Sequence, residues 1–141
     1  MEHNYTTQND NIWSFFPYNK DPIHEPLYIQ QLGDITGIIM NLGTHPCSYI
    51  IFPAKRYAIY SSIVNNDCLP VHGGITYHGT KLNLGDGREI SGYIIGWDYQ
   101  HFGDYDIFTG EGLKITKFHL ISDLVNAAFY IQEMEEEFDV K

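Results

Sequence analysis

Apolar residues fall along the chain in short dense runs separated by glycine, proline and polar turns. Residues 35–42, Ile-Thr-Gly-Ile-Ile-Met-Asn-Leu, are nearly continuous in apolar side chains and predict a buried strand. Gly43-Thr44-His45-Pro46 follows as a turn. Pro53 suits the first turn of a helix, with Tyr57, Ile59, Tyr60 and Ile63 as its apolar positions. The Tyr and Ile content there would also suit a strand; helix is the expectation. Val71–Tyr77 reads as a short strand carrying a glycine pair, and Gly85-Asp86-Gly87 as the turn of a hairpin. Tyr93-Ile94-Ile95-Gly96-Trp97 predicts a central strand, and Gly110 and Gly112 mark a further turn. Ile121, Leu124, Val125, Ala128, Ile131 and Met134 recur at helical spacing, with Ser122 or Asp123 as cap. The acidic end of that helix opposes the macrodipole, so it is expected to fray into solvent. This order predicts an α+β fold, with a mixed or antiparallel sheet packed by one or two helices and an amphipathic helix at the end.

Residues 1–26 form a separate pattern, polar and then aromatic (Trp13, Phe15, Phe16, Tyr18), punctuated by Pro17, Pro22 and Pro26. They read as an arm whose rings pack onto a single domain spanning 27–141, since that much ring surface is costly to leave in water. The arm is also the candidate subunit contact, which makes a homo-oligomer the expectation. A length of 141 residues suits one domain of the usual roughly 100–150 residues. A 43% hydrophobic content excludes intrinsic disorder. No apolar run approaches the roughly 18–20 residues of a membrane span. The opening MEHNYTTQNDN lacks the basic start and apolar stretch of a signal peptide, so a cytoplasmic protein is expected.

Charge narrows the partners further. The net charge is −10, and Glu133, Glu135, Glu136, Glu137 and Asp139 crowd the last turns. The eight cations are scattered, with Lys55-Arg56 the one adjacent pair, so there is no basic face to displace counterions from duplex DNA. A small nucleotide held by backbone donors remains open, as does an acidic surface that imitates nucleic acid. Cys47 and Cys68 have no CxxC spacing and are expected to be ordinary reduced thiols.

Three segments carry polar groups where a purely structural chain has no need of them: Gly43-Thr44-His45-Pro46, Val71-His72-Gly73-Gly74-Ile75-Thr76-Tyr77-His78-Gly79 and Gly96-Trp97-Asp98-Tyr99-Gln100-His101-Phe102-Gly103-Asp104. Each sets a histidine near a predicted strand end, beside a glycine. Glycine admits a ligand close to the backbone, and free N–H groups there bind anions. Asp98, His101 and Asp104 are spaced by three, so one helical turn points them the same way. A carboxylate on an imidazole fixes its tautomer for general base work. The same trio suits a divalent metal, and it equally suits a capped turn with Asp98 as cap. Strand alternation over 72–78 would place His72, Gly74, Thr76 and His78 on one face. His45 precedes Pro46, which forces it extended. P-loop, dinucleotide-fold, nucleophile-elbow and HExxH templates all fail. Neither cysteine lies beside a readable base.

In combination, the Gly-x-His-Pro, VHGGITY and Trp-Asp-x-x-His-x-Gly-Asp segments and the final helix resemble a largely uncharacterised family of small phage- and prophage-encoded proteins. The resemblance covers about residues 35–137. In that family the third segment reads Phe-Asp-Cys-Ala-His-Ala-Gly-Asp; Trp97, Tyr99 and Gln100 depart from it, whereas His72, Asp98, His101 and Asp104 match. The resemblance implies a counter-defence factor in an infected bacterial host, acting on a nucleotide immune signal or on a defence protein.

The expectation that follows is hydrolysis of a phosphodiester in a small, cyclic nucleotide. His72 and His101 form the acid/base pair, with Asp98 or Asp104 orienting a histidine. Gly73, Gly74 and Thr76 hold phosphate, Tyr77 or Trp97 stacks on a base, and His45 joins the ligand-binding set. No cofactor is required unless a divalent metal sits at His101, Asp98 and Asp104. The alternatives are a module that sequesters such nucleotides without cleaving them, and an acidic inhibitor of a defence protein.

Overall fold

The computed structural model describes residues 5–6 and 14–139; Trp13 lies outside them. Six strands form one antiparallel sheet: β1 (Tyr5–Thr6), β2 (Glu25–Leu32), β3 (Ile35–Asn41), β4 (Pro46–Phe52), β5 (Tyr77–Asn83) and β6 (Glu89–Asp98). Their order is β1-β2-β3-β4-β6-β5. β1 to β4 are sequential neighbours. The chain then leaves the sheet through a 3-10 turn (Ala54–Arg56) and helix α1 (Tyr57–Asn66) and returns at the far edge as β5. The Gly85-Asp86-Gly87 turn sends β6 back between β4 and β5, where it pairs on both sides. Helix α2 (Lys117–Asp139) closes the α+β domain.

Both helices lie on one face of the sheet. Ile59, Tyr60 and Ile63 of α1, and Leu120, Leu124, Ala127, Ala128 and Ile131 of α2, pack with Ile35, Ile39, Ile50, Phe52, Ile95 and Trp97. Gly37 is the point of closest approach: a Cβ there would stand 2.7 Å from Leu124 Cδ2, so only glycine lets α2 settle on β3. The opposite face has its own apolar cluster. Leu82 and Leu84 from the β5–β6 hairpin meet Ile29, Ile38 and Met40 from β2 and β3, so the sheet curls over itself without a covering helix.

Three local expectations give way to the structure. Residues 71–76 are loop, not strand, because Gly73 and Gly74 both adopt left-handed backbone (φ 68° and 82°), which no ladder accommodates. The strand starts at Tyr77. Helix α2 begins near Lys117, with Thr116 as its cap: the Thr116 hydroxyl accepts the His119 N–H at 3.0 Å. Ser122 and Asp123 are interior to it. The acidic end stays helical to Asp139, where Arg56 lies 3.4 Å from Glu135 and 3.0 Å from Asp139, answering the dipole that would otherwise fray it. Arg56 also donates to Asp34. Burial pushes the Asp34 carboxyl up, but hydrogen bonds from Arg56 and its neighbours outweigh it and hold that group below its ordinary value. Glu135 is shifted up, by burial and then by the Asp34 carboxyl beside it. Glu133, Glu136 and Glu137 face solvent.

Of the arm aromatics, Phe16 is buried in the helix-side core and Tyr18 packs against it, whereas Phe15 is about half exposed. No described helix is long and apolar enough to cross a membrane.

Candidate functional site

The antiparallel ladder between β4 and β6 sets the start of one beside the end of the other. Cys47 is the register partner of Asp98, and the Tyr99 N–H donates to the Pro46 carbonyl at 3.2 Å. His45, just ahead of β4, and Asp98, closing β6, thus share one end of the sheet. The 71–76 loop arrives at the same end along β6, with the Thr76 N–H donating to the Gly96 carbonyl. Residues 99–104 then fold into a tight turn, in which the Asp98 side chain accepts the Gln100 N–H and the Asp104 side chain accepts the His101 N–H.

These placements bring His72, His101, Asp104 and Asp98 together. His72 Nε2 lies 2.9 Å from each Asp104 carboxylate oxygen. The His101 ring stands edge-on to His72 with centroids 5.7 Å apart. His101 Nδ1 is 3.5 Å from Asp98 Oδ1 and 3.6 Å from Asp104 Oδ2; it is buried and has no hydrogen-bond partner. Both rings remain about one third exposed, so the cluster is half-buried and reachable. Gly73 packs against the His101 ring so closely that a Cβ would stand 2.3 Å from its Cε1. His45 faces the same carboxylates. Burial lowers its pKa, with Asp98 and Asp104 pulling the other way, so its neutral form is favoured. Its Nδ1 is 2.9 Å from the Thr44 hydroxyl.

A buried polar chain braces the site from below. The His72 ring stacks on Tyr99 at 4.7 Å with an interplanar angle of 18°. The Tyr99 hydroxyl accepts the Trp97 Nε1–H at 2.9 Å and donates to Asp123 on α2 at 2.8 Å. Burial, reinforced by the Asp123 charge, pushes the Tyr99 phenol far above its ordinary pKa, so it stays protonated and remains a donor. The sequence reading gave Tyr99 no part in the site and took Asp123 only as a helix cap. Asp123 did carry a signal, because it sits between Leu120, Leu124 and Ala127 on the buried side of α2.

Beside the cluster lies a cleft of about 440 Å³, lined by His101, Asp104, Tyr105, Asp106, Thr109 and Glu111 among others. Its lining carries three carboxylates and no lysine or arginine.

Several residues expected to bind ligand stand elsewhere. Trp97 is 1% exposed and faces the helix-side core, so it has no face to offer a base. Tyr77 belongs to the other face of the sheet, edge-on to the Tyr49 ring, with its hydroxyl donating to the Lys81 carbonyl. The Gly74 N–H is engaged by the Val71 carbonyl at 3.0 Å, which removes one donor from the expected phosphate nest. Thr76 is exposed in the strand approach, and His78 is exposed on edge strand β5, so the predicted single face over 72–78 does not form. The donor atoms that converge as a metal-ligand set are those of His72, His101 and Asp104, within 4.8 Å of one another. Asp98 of the expected trio serves instead as the cap of the 98–100 turn. The Cys47 thiol is pushed up to about 12, by burial and then by Asp98, which leaves it no nucleophilic thiolate.

Compared with known proteins, the chain matches no protein family, no curated protein and no solved structure.

Proposed function

We propose that the protein hydrolyses a phosphodiester bond in a small cyclic nucleotide, in the setting of phage counter-defence. The carrying observation is the Asp104 carboxylate against His72, with the His101 ring beside it, at the edge of an open cleft. Phosphodiester hydrolysis needs one group to take a proton from water and another to give one to the leaving oxygen. The Asp104 carboxylate on His72 Nε2 orients that ring for proton transfer. Water adds to phosphorus and loses its proton to one imidazole. The bond from phosphorus to the ribose oxygen breaks, and the second imidazole, protonated beforehand, protonates that oxygen. The product is a linear phosphomonoester. The phage setting draws its support from the Gly-x-His-Pro, VHGGITY and WDYQHFGD resemblance.

The test is incubation with a panel of cyclic mono- and dinucleotides, with products separated by chromatography. A linear product is expected, with turnover reduced about 100-fold or more in His72→Ala and His101→Ala. A folded protein that forms no product at enzyme concentrations equal to substrate overturns hydrolysis. Ligand bound tightly and released intact, with binding lost in His72→Ala, would instead make the protein a sequestering module.

A further inference from the structure

We infer that His72, His101 and Asp104 bind one divalent transition-metal ion, with His72 Nε2, His101 Nδ1 and an Asp104 oxygen as the protein ligands. The binding claim stands on geometry and charge; its catalytic meaning rests on the hydrolytic reading above.

Spacing comes first. Two donors each about 2.0–2.2 Å from an ion, at tetrahedral or octahedral angles, lie about 2.9–3.5 Å apart, and opposite donors lie near 4.2 Å. His72 Nε2 to Asp104 is 2.9 Å, and His101 Nδ1 to Asp104 Oδ2 is 3.6 Å. One donor atom from each of the three residues falls within 4.8 Å of the others. Two imidazoles and one carboxylate favour the zinc, manganese and iron class over calcium or magnesium, which prefer oxygen alone.

An orphaned atom is the second observation. A salt bridge accounts for His72 and Asp104 but leaves His101 Nδ1 buried without a hydrogen bond. Such an atom is costly unless something else occupies its lone pair, and a cation in reach of Asp104 does so. Gly73 presses the ring into this orientation, and Tyr99 holds the plane of His72 from below.

Charge supplies the third. A nucleotide phosphate entering a cleft lined by Asp104, Asp106 and Glu111, with no lysine or arginine, meets repulsion. A divalent ion reverses that sign locally and lowers the pKa of its bound water toward neutrality. With an ion bound, His72 and His101 would hold it in place of the proton transfers given to them in the ion-free site.

The experiment uses the full chain, stripped with EDTA and dialysed. Zinc and manganese chloride are titrated by calorimetry, and cobalt(II) is followed by visible absorption. One ion per chain is expected, with the cobalt spectrum changing as nitrogen ligands enter. Affinity should fall about tenfold or more in His101→Asn and in Asp104→Asn, and be unchanged in His78→Ala and His119→Ala. Thermal melts confirm that each variant is folded, and Gly73→Ala, which moves the His101 ring without removing a ligand, should weaken binding to a lesser degree. A folded wild-type chain that takes up no metal, or binding that ignores the His101 and Asp104 variants, overturns the inference. Metal bound without any nucleotide cleavage upholds the site and sinks the hydrolytic reading. Cleavage unaffected by EDTA in a chain that binds no metal does the reverse.

Discussion

Replacing Gly73 with alanine separates the backbone demands of the site from its chemistry. Gly73 has φ of 68°, where an L side chain costs about 1–2 kcal/mol. A Cβ there would also stand 2.3 Å from His101 Cε1 and 2.6 Å from both ring nitrogens, well inside the 3.0 Å that real side chains keep. The ring must retreat by about 1 Å, and such overpacking adds about 1–3 kcal/mol. Gly74 is the matched control: its φ is 82°, but a Cβ there meets nothing within 4 Å. Gly74→Ala should therefore lose about 1–2 kcal/mol, seen as a melting temperature lower by about 3–7 °C for a chain of this length. Gly73→Ala should melt lower still. Only Gly73→Ala should shift the His101 imidazole resonances and reduce cleavage, by about 100-fold for a displacement of this size. Differential scanning calorimetry, histidine-selective NMR and the cleavage assay read the three quantities separately. If both variants behave alike in NMR and cleavage, the close contact with Gly73 does not position His101 and the reasoning fails.

Tyr99→Phe should lower stability by about 1–3 kcal/mol, measured as a fall in urea midpoint at constant slope, because it strips the Trp97 N–H and Asp123 of their shared partner. The phenyl ring still supports His72, so the His72–Asp104 pair should persist. Arg56→Ala leaves Glu135 beside Asp34 without the guanidinium between them, with only the exposed Lys55 still on Asp34, for about 1–3 kcal/mol; little of that comes from Asp139, which water already screens. Amide exchange in the last two turns of α2 should accelerate, and unchanged exchange would show that Arg56 does not anchor them. His45 titrates in the fold below its ordinary 6.5, so the unfolded chain takes up its proton first as pH falls. Its neutral burial therefore favours the fold above about pH 6.5 and disfavours it progressively below. The melting temperature of His45→Gln should fall less steeply than wild type from about pH 6.5 toward 5; equal slopes would disprove the assignment.

Patterns with a local cause were legible in the amino-acid order. Continuous apolar character at 35–42 became β3, the run at 93–97 became the paired interior of β6, and the glycines at 85 and 87 became the hairpin turn. The helix after Pro53 formed because Ile59, Tyr60 and Ile63 share one face. Misreadings arose where two local signals competed. Ile75 and Tyr77 alternate like a strand, yet the left-handed pair Gly73-Gly74 between them and Val71 forbids one. Lys117 and His119 are polar, which hid the first turn of α2 behind an apolar pattern read as beginning at Ile121.

Histidine beside glycine at a strand end was visible as a motif three times over. Nothing local places those three motifs at one end of one sheet. That depends on β6 inserting between β4 and β5, which pairs Cys47 with Asp98 and draws the 71–76 loop alongside. Trp97 shows the same division: its alternation in the strand is local, but which side of the sheet the helices cover is a property of the whole packed chain, and that side claims it for the core. Side-chain period follows from backbone geometry within a few residues, whereas strand order and the covered face follow from burying the most apolar area at once.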